Sequence, residues 1–172
     1  MNRIVIGAAV ALVIGGCASM GGPPAKTSAI ANLEATQGNN VKGTVTFNQE
    51  GDLIHVRASF TGLKNNGEHA FHVHEKGDCS SGDGMSAGGH YNPAGKPHGP
   101  QDADHHAGDM PNVKADSYGN ASTAFVLKGV SVGGEAGIIG RGLIVHRDPD
   151  DYKSQPAGNA GPRIACAVIR AS

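Results

Sequence analysis

A chain of 172 residues has the length of one domain. Its formal net charge of −1, with 17% charged and 4% aromatic residues, contains no basic run and no aromatic stacking set, which excludes a nucleic-acid binder. The composition instead concentrates its chemistry in nine histidines and three cysteines.

Arg3 is the one charge ahead of an apolar run from Ile4 to Ile14, which Gly15, Gly16 and Cys17 follow. The run is too short to span a bilayer as a mature helix and has the build of a secretory signal, expected over residues 1–16. Ile14-Gly15-Gly16-Cys17 resembles a bacterial lipobox, so Cys17 is expected to become a lipid-modified first residue. The alternative is ordinary cleavage near Ala18 or Met20. Residues 17–27 are small and rich in Gly and Pro, as in a flexible tether, and the folded domain is expected over 28–172. The expected location is the periplasm, with the membrane reached only through the lipid. Assigning Cys17 to lipid leaves Cys79 and Cys166 as an even pair in an oxidising setting, where a disulfide is expected and two buried free thiols are the alternative.

Beyond the tether, short segments alternate with a period of two, the pattern of half-buried strands. Val41, Val45 and Phe47 alternate with Lys42, Thr44 and Thr46, and Ile54, Val56, Ala58 and Phe60 alternate with His55, Arg57 and Ser59. Residues 48–52 read as the turn of a hairpin between the two. Further strands are expected near 28–36, 68–75, 111–117, 121–128, 142–146 and 164–170. Eight short strands and no segment with a helical period predict an all-β fold, an antiparallel sandwich or barrel. Two long connections, about 76–108 and 147–162, interrupt it, and loops of that length are usually functional.

The strand Ala70 to His74 sends Phe71 and Val73 to one face and His72 and His74 to the other, so both imidazoles can reach one ion. The first long loop adds His90, His98, His106 and Asp109, three imidazoles and a carboxylate that suit a closed tetrahedral zinc site. His105 competes with His106 for the third place, and the His106-Ala107-Gly108-Asp109 step decides for His106. His146 follows Val145 far along the chain, and only a fold that returns it to this loop could use it.

Phe71-His72-Val73-His74, Gly89-His90-Tyr91-Asn92-Pro93, His98-Gly99, His106-Ala107-Gly108-Asp109, Gly140-Arg141 through Val145-His146, and Gly158-Asn159-Ala160-Gly161 through Arg163-Ile164-Ala165-Cys166 occur in one order across nearly the whole expected domain. In this the chain resembles the copper-zinc superoxide dismutases. The resemblance implies an eight-stranded antiparallel Greek-key barrel with two functional loops. It implies copper on His72, His74, His90 and His146, zinc on His90, His98, His106 and Asp109, and His90 shared by both. Superoxide would be converted to dioxygen and hydrogen peroxide by alternate reduction and oxidation of copper, with His90 delivering a proton. The same resemblance gives Arg163 as the cation that attracts and orients the anion, Asp150 as the link between the second nitrogens of His72 and His98, and Cys79 with Cys166 as the disulfide. His69 and His55 have no ligand role in this scheme. A non-catalytic exported copper- or zinc-binding protein is the competing reading, and it would require neither a shared imidazole nor Arg163. A homodimer and a monomer are both compatible with the sequence.

Overall fold

The structure, a computed structural model, describes residues 27–172. The expected signal segment, Cys17 and all of the tether but Thr27 lie outside the described residues. Ten strands follow: β1 (Ser28–Ala35), β2 (Lys42–Glu50), β3 (Leu53–Thr61), β4 (Glu68–His69), β5 (Phe71–His74), β6 (Val113–Lys114), β7 (Ala121–Lys128), β8 (Gly142–His146), β9 (Arg163–Val168) and β10 (Arg170–Ala171). The one helical element among the described residues is a 3₁₀ turn at Met85–Ala87.

The period-two pattern acts most plainly in β2 and β3. Val45, Phe47, Ile54, Val56, Ala58 and Phe60 are buried, while Lys42, Thr44, His55, Arg57 and Ser59 face solvent. The strands pair from Lys42 with Thr61 to Glu50 with Leu53, so only Gly51 and Asp52 make the turn. Gly51 takes φ 58°, a conformation that costs a residue without a Cβ little.

The main sheet has eight strands in the order β5-β8-β9-β1-β2-β3-β7, with β10 also pairing β1, and every pairing is antiparallel. The chain crosses from β3 to β5 and from β7 to β8 between opposite ends of that order, the long connections of a Greek key. Phe71 of β5 and Phe125 of β7, at the two ends of the order, have ring centroids 5.9 Å apart, and Phe60 meets Phe71 at 5.4 Å. The sheet therefore curls until its edges touch through aromatic side chains, enclosing one core that includes Leu33, Phe47, Val73, Leu143 and Ile169. This is the curled all-β fold the sequence implies.

The strand expected at 111–117 is reduced to Val113–Lys114, paired with β4 outside the main sheet. Pro111 has no N–H to give to a ladder. After Ala115 the Asp116 carboxylate accepts the amides of Tyr118 (2.8 Å) and Asn120 (2.9 Å) and turns the chain. The expected strand 68–75 likewise divides at Ala70. Its N–H donates to Asp148 (3.0 Å), and its carbonyl accepts from His146 N (2.8 Å), so it leaves the β4–β6 pair for the end of β8.

Cys79 and Cys166 form a disulfide across a sequence separation of 87 residues, tying the first long loop to β9. Closing a loop of that size stabilises the fold by about 4 to 5 kcal/mol in the chain-entropy account.

Candidate metal centre

The site is assembled on the outward face of β5 and the end of β8. Phe71 and Val73 point into the core, and His72 and His74 point away from it yet are buried, because both long loops cover them. The first loop docks along β5 by backbone pairing: Tyr91 N donates to Val73 O (2.8 Å), Val73 N to Gly108 O (2.9 Å), and Gly108 N to Tyr91 O (2.9 Å). His90 thereby forms an isolated bridge opposite His74, and the segment of His106 and Asp109 is drawn alongside. His146 closes the group from β8, where the register with β9 shifts between Val145 and His146. Such irregularities re-aim a side chain at the end of a ladder.

Two sets of ligand atoms result. One atom from each of His72, His74, His90 and His146 lies within 4.8 Å of the others, and the same holds for His90, His98, His106 and Asp109. All seven residues are buried, and His90 belongs to both sets. In the first set the buried ring nitrogens without a hydrogen-bond partner are His72 Nδ1, His74 Nε2, His90 Nε2 and His146 Nε2. The opposite nitrogens are engaged: His72 Nε2 with Asp150 Oδ2 (2.9 Å), His74 Nδ1 with Gly88 O (2.9 Å), and His146 Nδ1 with Gly161 O (3.2 Å). His90 Nδ1 faces Asp109 Oδ1 at 2.7 Å. A buried polar atom without a partner costs about 1–3 kcal/mol. Four such atoms converging on one point, each on a ring fixed by its other nitrogen, fit a cation that accepts four lone pairs.

In the second set His106 Nδ1 lies 3.4 Å from His90 Nδ1 and 3.2 Å from Asp109 Oδ1. His98 Nδ1 is 3.0 Å from Asp109 Oδ2, yet it is off the line of a hydrogen bond and stays unpartnered. Asp109 Oδ2 also accepts His106 N (2.9 Å) and Gly99 N (3.2 Å), so the carboxylate holds the backbone that carries two of the histidines. Three ring nitrogens and one carboxylate oxygen are the donors of a closed zinc site. His105 is outside the set, its Nδ1 turned to Ala103 O (2.7 Å). His55 is exposed and 3.4 Å from Glu50, and His69 is buried with Nδ1 on the His146 carbonyl (3.0 Å).

The electrostatics differ between the sets. Burial pushes His72 down to about 4 against the pull of Asp150, and pushes His146 down to about 3 with help from His72. Burial also lowers His74, so these rings are neutral near pH 7 and offer lone pairs. Burial lowers His98 too, but Asp109 and Asp150 more than reverse it and raise the ring to about 9. Burial opposes ionisation of both Asp109 and Asp150, and the histidines beside each overcome it and hold both carboxyls well below the usual range.

The second long loop supplies Asp150, whose Oδ2 meets His72 Nε2 and whose Oδ1 meets His98 Nε2, each at 2.9 Å. Gly158 packs over this junction, where a Cβ would overlap Asp150 Oδ1 and come within 2.7 Å of His98 Nε2. Residues that sequence reasoning did not single out hold the junction in place. The Asn112 amide pairs with the backbone of Asp150, donating to its carbonyl (3.0 Å) and accepting its N–H (2.8 Å), and Gln155 pairs with the backbone of His98. Both are polar loop residues with no local pattern to mark them. Arg163 sits opposite His146 across β8 and β9, and its guanidinium donates to Gly84 O (2.7 Å) and Gly88 O (2.6 Å).

The family model described as copper/zinc superoxide dismutase matches residues 41–169. A "Superoxide dismutase [Cu-Zn]" of Paramecium bursaria Chlorella virus 1 is 44% identical over 149 residues, covering 83% of this chain and 77% of the relative. Among solved structures, one described as the clock protein EA4 superposes with a TM-score of 0.79 at 39% identity, covering 88% of this chain and 99% of that one. With a family match over most of its length and two four-donor clusters that share a histidine, the chain belongs to the copper/zinc superoxide dismutases, enzymes with copper and zinc as cofactors.

Proposed function

We propose that the protein dismutates superoxide outside the cytoplasm, with copper held by His72, His74, His90 and His146 and zinc by His90, His98, His106 and Asp109. The observation that carries this assignment is the orphaned quartet of ring nitrogens, His72 Nδ1, His74 Nε2, His90 Nε2 and His146 Nε2. Copper supplies the one-electron couple that dismutation needs, and zinc supplies fixed charge without redox chemistry.

The chain's own residues do the rest. Arg163 is a cation pinned at two carbonyls beside His146; burial lowers its pKa, but a guanidinium remains charged. Fixed in that place, it attracts a small anion and orients it toward the quartet. His90 presents Nδ1 to the zinc set and Nε2 to the copper set, so Nε2 is the atom at which a proton is taken up and returned to the reduced product. Asp150 holds the Nε2 protons of His72 and His98, so that Nδ1 of each ring is the nitrogen that would coordinate, His98 first releasing its second proton. A store for copper or zinc would require neither the shared ring nor the pinned arginine.

The test is superoxide consumption by protein carrying both metals, compared with its Arg163→Ala variant over a range of ionic strength. The parent rate falls as salt is added, and the variant is slower by about tenfold and less sensitive to salt. Equal rates and equal salt dependence would remove Arg163 from substrate capture, and no consumption by the metal-loaded parent would end the enzymatic reading.

The lipobox-like Ile14-Gly15-Gly16-Cys17 supports a periplasmic location with a lipid anchor at Cys17. Cys17→Ser is expected to move the protein from the membrane fraction to the soluble fraction after cell lysis. An unchanged distribution would count against the anchor.

A further inference from the structure

We propose that Gln155 is a positioning residue for zinc, gripping the peptide of His98 while Asp150 grips its ring. This rests on the zinc assignment above. Gln155 Oε1 accepts the His98 N–H at 2.8 Å, and Gln155 Nε2 donates to the His98 carbonyl at 2.9 Å. His98 is buried, lies outside every strand, and has no backbone partner for either peptide group among the described residues. Buried peptide groups need partners, and one side chain supplies both.

Gln155 can do this because its loop is built independently of the zinc donors. Asp151 Oδ1 accepts Lys153 N (2.9 Å) and Ser154 N (2.8 Å), and Oδ2 accepts Ser154 Oγ (2.7 Å) and Asn159 Nδ2 (3.1 Å). Gly158 N then donates to Ser154 O at 2.7 Å and closes the turn. Among the described residues, the hydroxyl, amide and carboxylate groups that set this turn bond to one another and to the turn's own backbone, so the turn is a platform. It presents Asp150 from one end and Gln155 from its tip. His98 is held at Nε2, N and O by two residues of the second loop, which leaves Nδ1 as its one free polar atom, aimed at Asp109. Fixing a ligand before the ion arrives reduces what ordering costs on binding, and it slows the ligand's departure afterwards.

The geometry separates this role from a general effect on the loop. Gln155 also lines the opening beside His146, so a substitution that merely disordered the loop would disturb the copper face as well. Gln155→Met keeps the length and removes both hydrogen bonds. Gln155→Glu keeps an acceptor for His98 N but sets an oxygen against the His98 carbonyl. Asn159→Ala loosens the platform without touching His98.

Protein carrying copper and zinc is mixed with a chromogenic zinc chelator, and the rate of zinc release is followed together with the copper absorption spectrum. Gln155→Met and Gln155→Glu are expected to release zinc about tenfold faster than the parent, the size of effect usual for residues that support a ligand. Asn159→Ala keeps the Gln155 amide and should accelerate release by much less than either Gln155 variant, and all three should keep the parental copper spectrum before release begins. Parental release from Gln155→Glu or Gln155→Met would overturn the proposal. Equal acceleration in Asn159→Ala would overturn it too, by assigning the effect to the turn as a whole. His98→Ala reports separately on the assignment beneath: a variant that still binds zinc with parental stoichiometry would refute His98 as a donor, whatever Gln155 does.

Discussion

Replacing His146 with alanine is expected to abolish superoxide consumption while leaving zinc bound. His146 belongs to the first donor set alone, and Nε2 is its unpartnered atom. The substitution removes one of four nitrogens from that set and none from the second. The fold around it has reason to persist. The irregularity between Val145 and His146 belongs to the backbone, and the backbone carbonyl at this position still accepts from His69 Nδ1 in the variant. The side-chain hydrogen bond that disappears is that of Nδ1 to Gly161 O, at 3.2 Å a long one. Removing a group that only supports a ligand weakens a metal site roughly 10- to 100-fold, and removal of the ligand itself should exceed that. Copper and zinc content, measured beside the rate, checks the prediction. A variant that retains copper and consumes superoxide at the parental rate would take His146 out of the copper set.

How much of this was legible in the sequence depended on whether the informative residues lay in a repeating element. The alternation in β2 and β3 carried directly into burial, because one face of that hairpin meets the core and the other meets water. The segments at 121–128 and 142–146 coincide with β7 and β8. In β5 and β8 every residue is buried, since the loops cover the outward face, so alternation of chemistry there does not translate into alternation of exposure. The segment 111–117 carried an alternating pattern, but Pro111 and the Asp116 turn confine it to two paired residues. The histidines announce themselves by spacing, and the His106-Ala107-Gly108-Asp109 step already favours His106 over His105; in three dimensions that short step brings the donor atoms of His106 and Asp109 to 3.2 Å, and His105 turns away. Asp150 was reached through the family resemblance and not through any spacing. Asn112 and Gln155 could be reached by neither route, because an amide in a polar loop looks the same in sequence whether it holds a peptide or faces solvent.

The second large effect concerns Asp150. Its carboxyl is held well below the usual range, so at neutral pH it is ionised and can only accept hydrogen bonds. Both rings that contact it must then donate from Nε2, which leaves Nδ1 of His72 as a lone pair and makes Nδ1 of His98 the nitrogen that gives up its proton when an ion binds. One anion thus sets the tautomer of a ring in each donor set. Asp150→Ala leaves two buried ring nitrogens without an acceptor, at about 1–3 kcal/mol each, and frees both rings to rotate. Affinity for both metals should fall by roughly 10- to 100-fold, and superoxide consumption should fall with copper occupancy. Asp150→Asn makes a sharper demand. An amide accepts on one side and donates on the other, so it can satisfy one ring as before, while its NH₂ group faces the second. To accept from that group, the second ring must move its proton from Nε2 to Nδ1, where the lone pair for the metal had been. The alanine variant is therefore expected to weaken both ions, and the asparagine variant to weaken one far more than the other. Titration of each purified variant with copper and with zinc separates the cases. Parental affinity for both ions in Asp150→Asn would mean that the carboxylate acts only as a spacer between the rings, and the tautomer argument would fail.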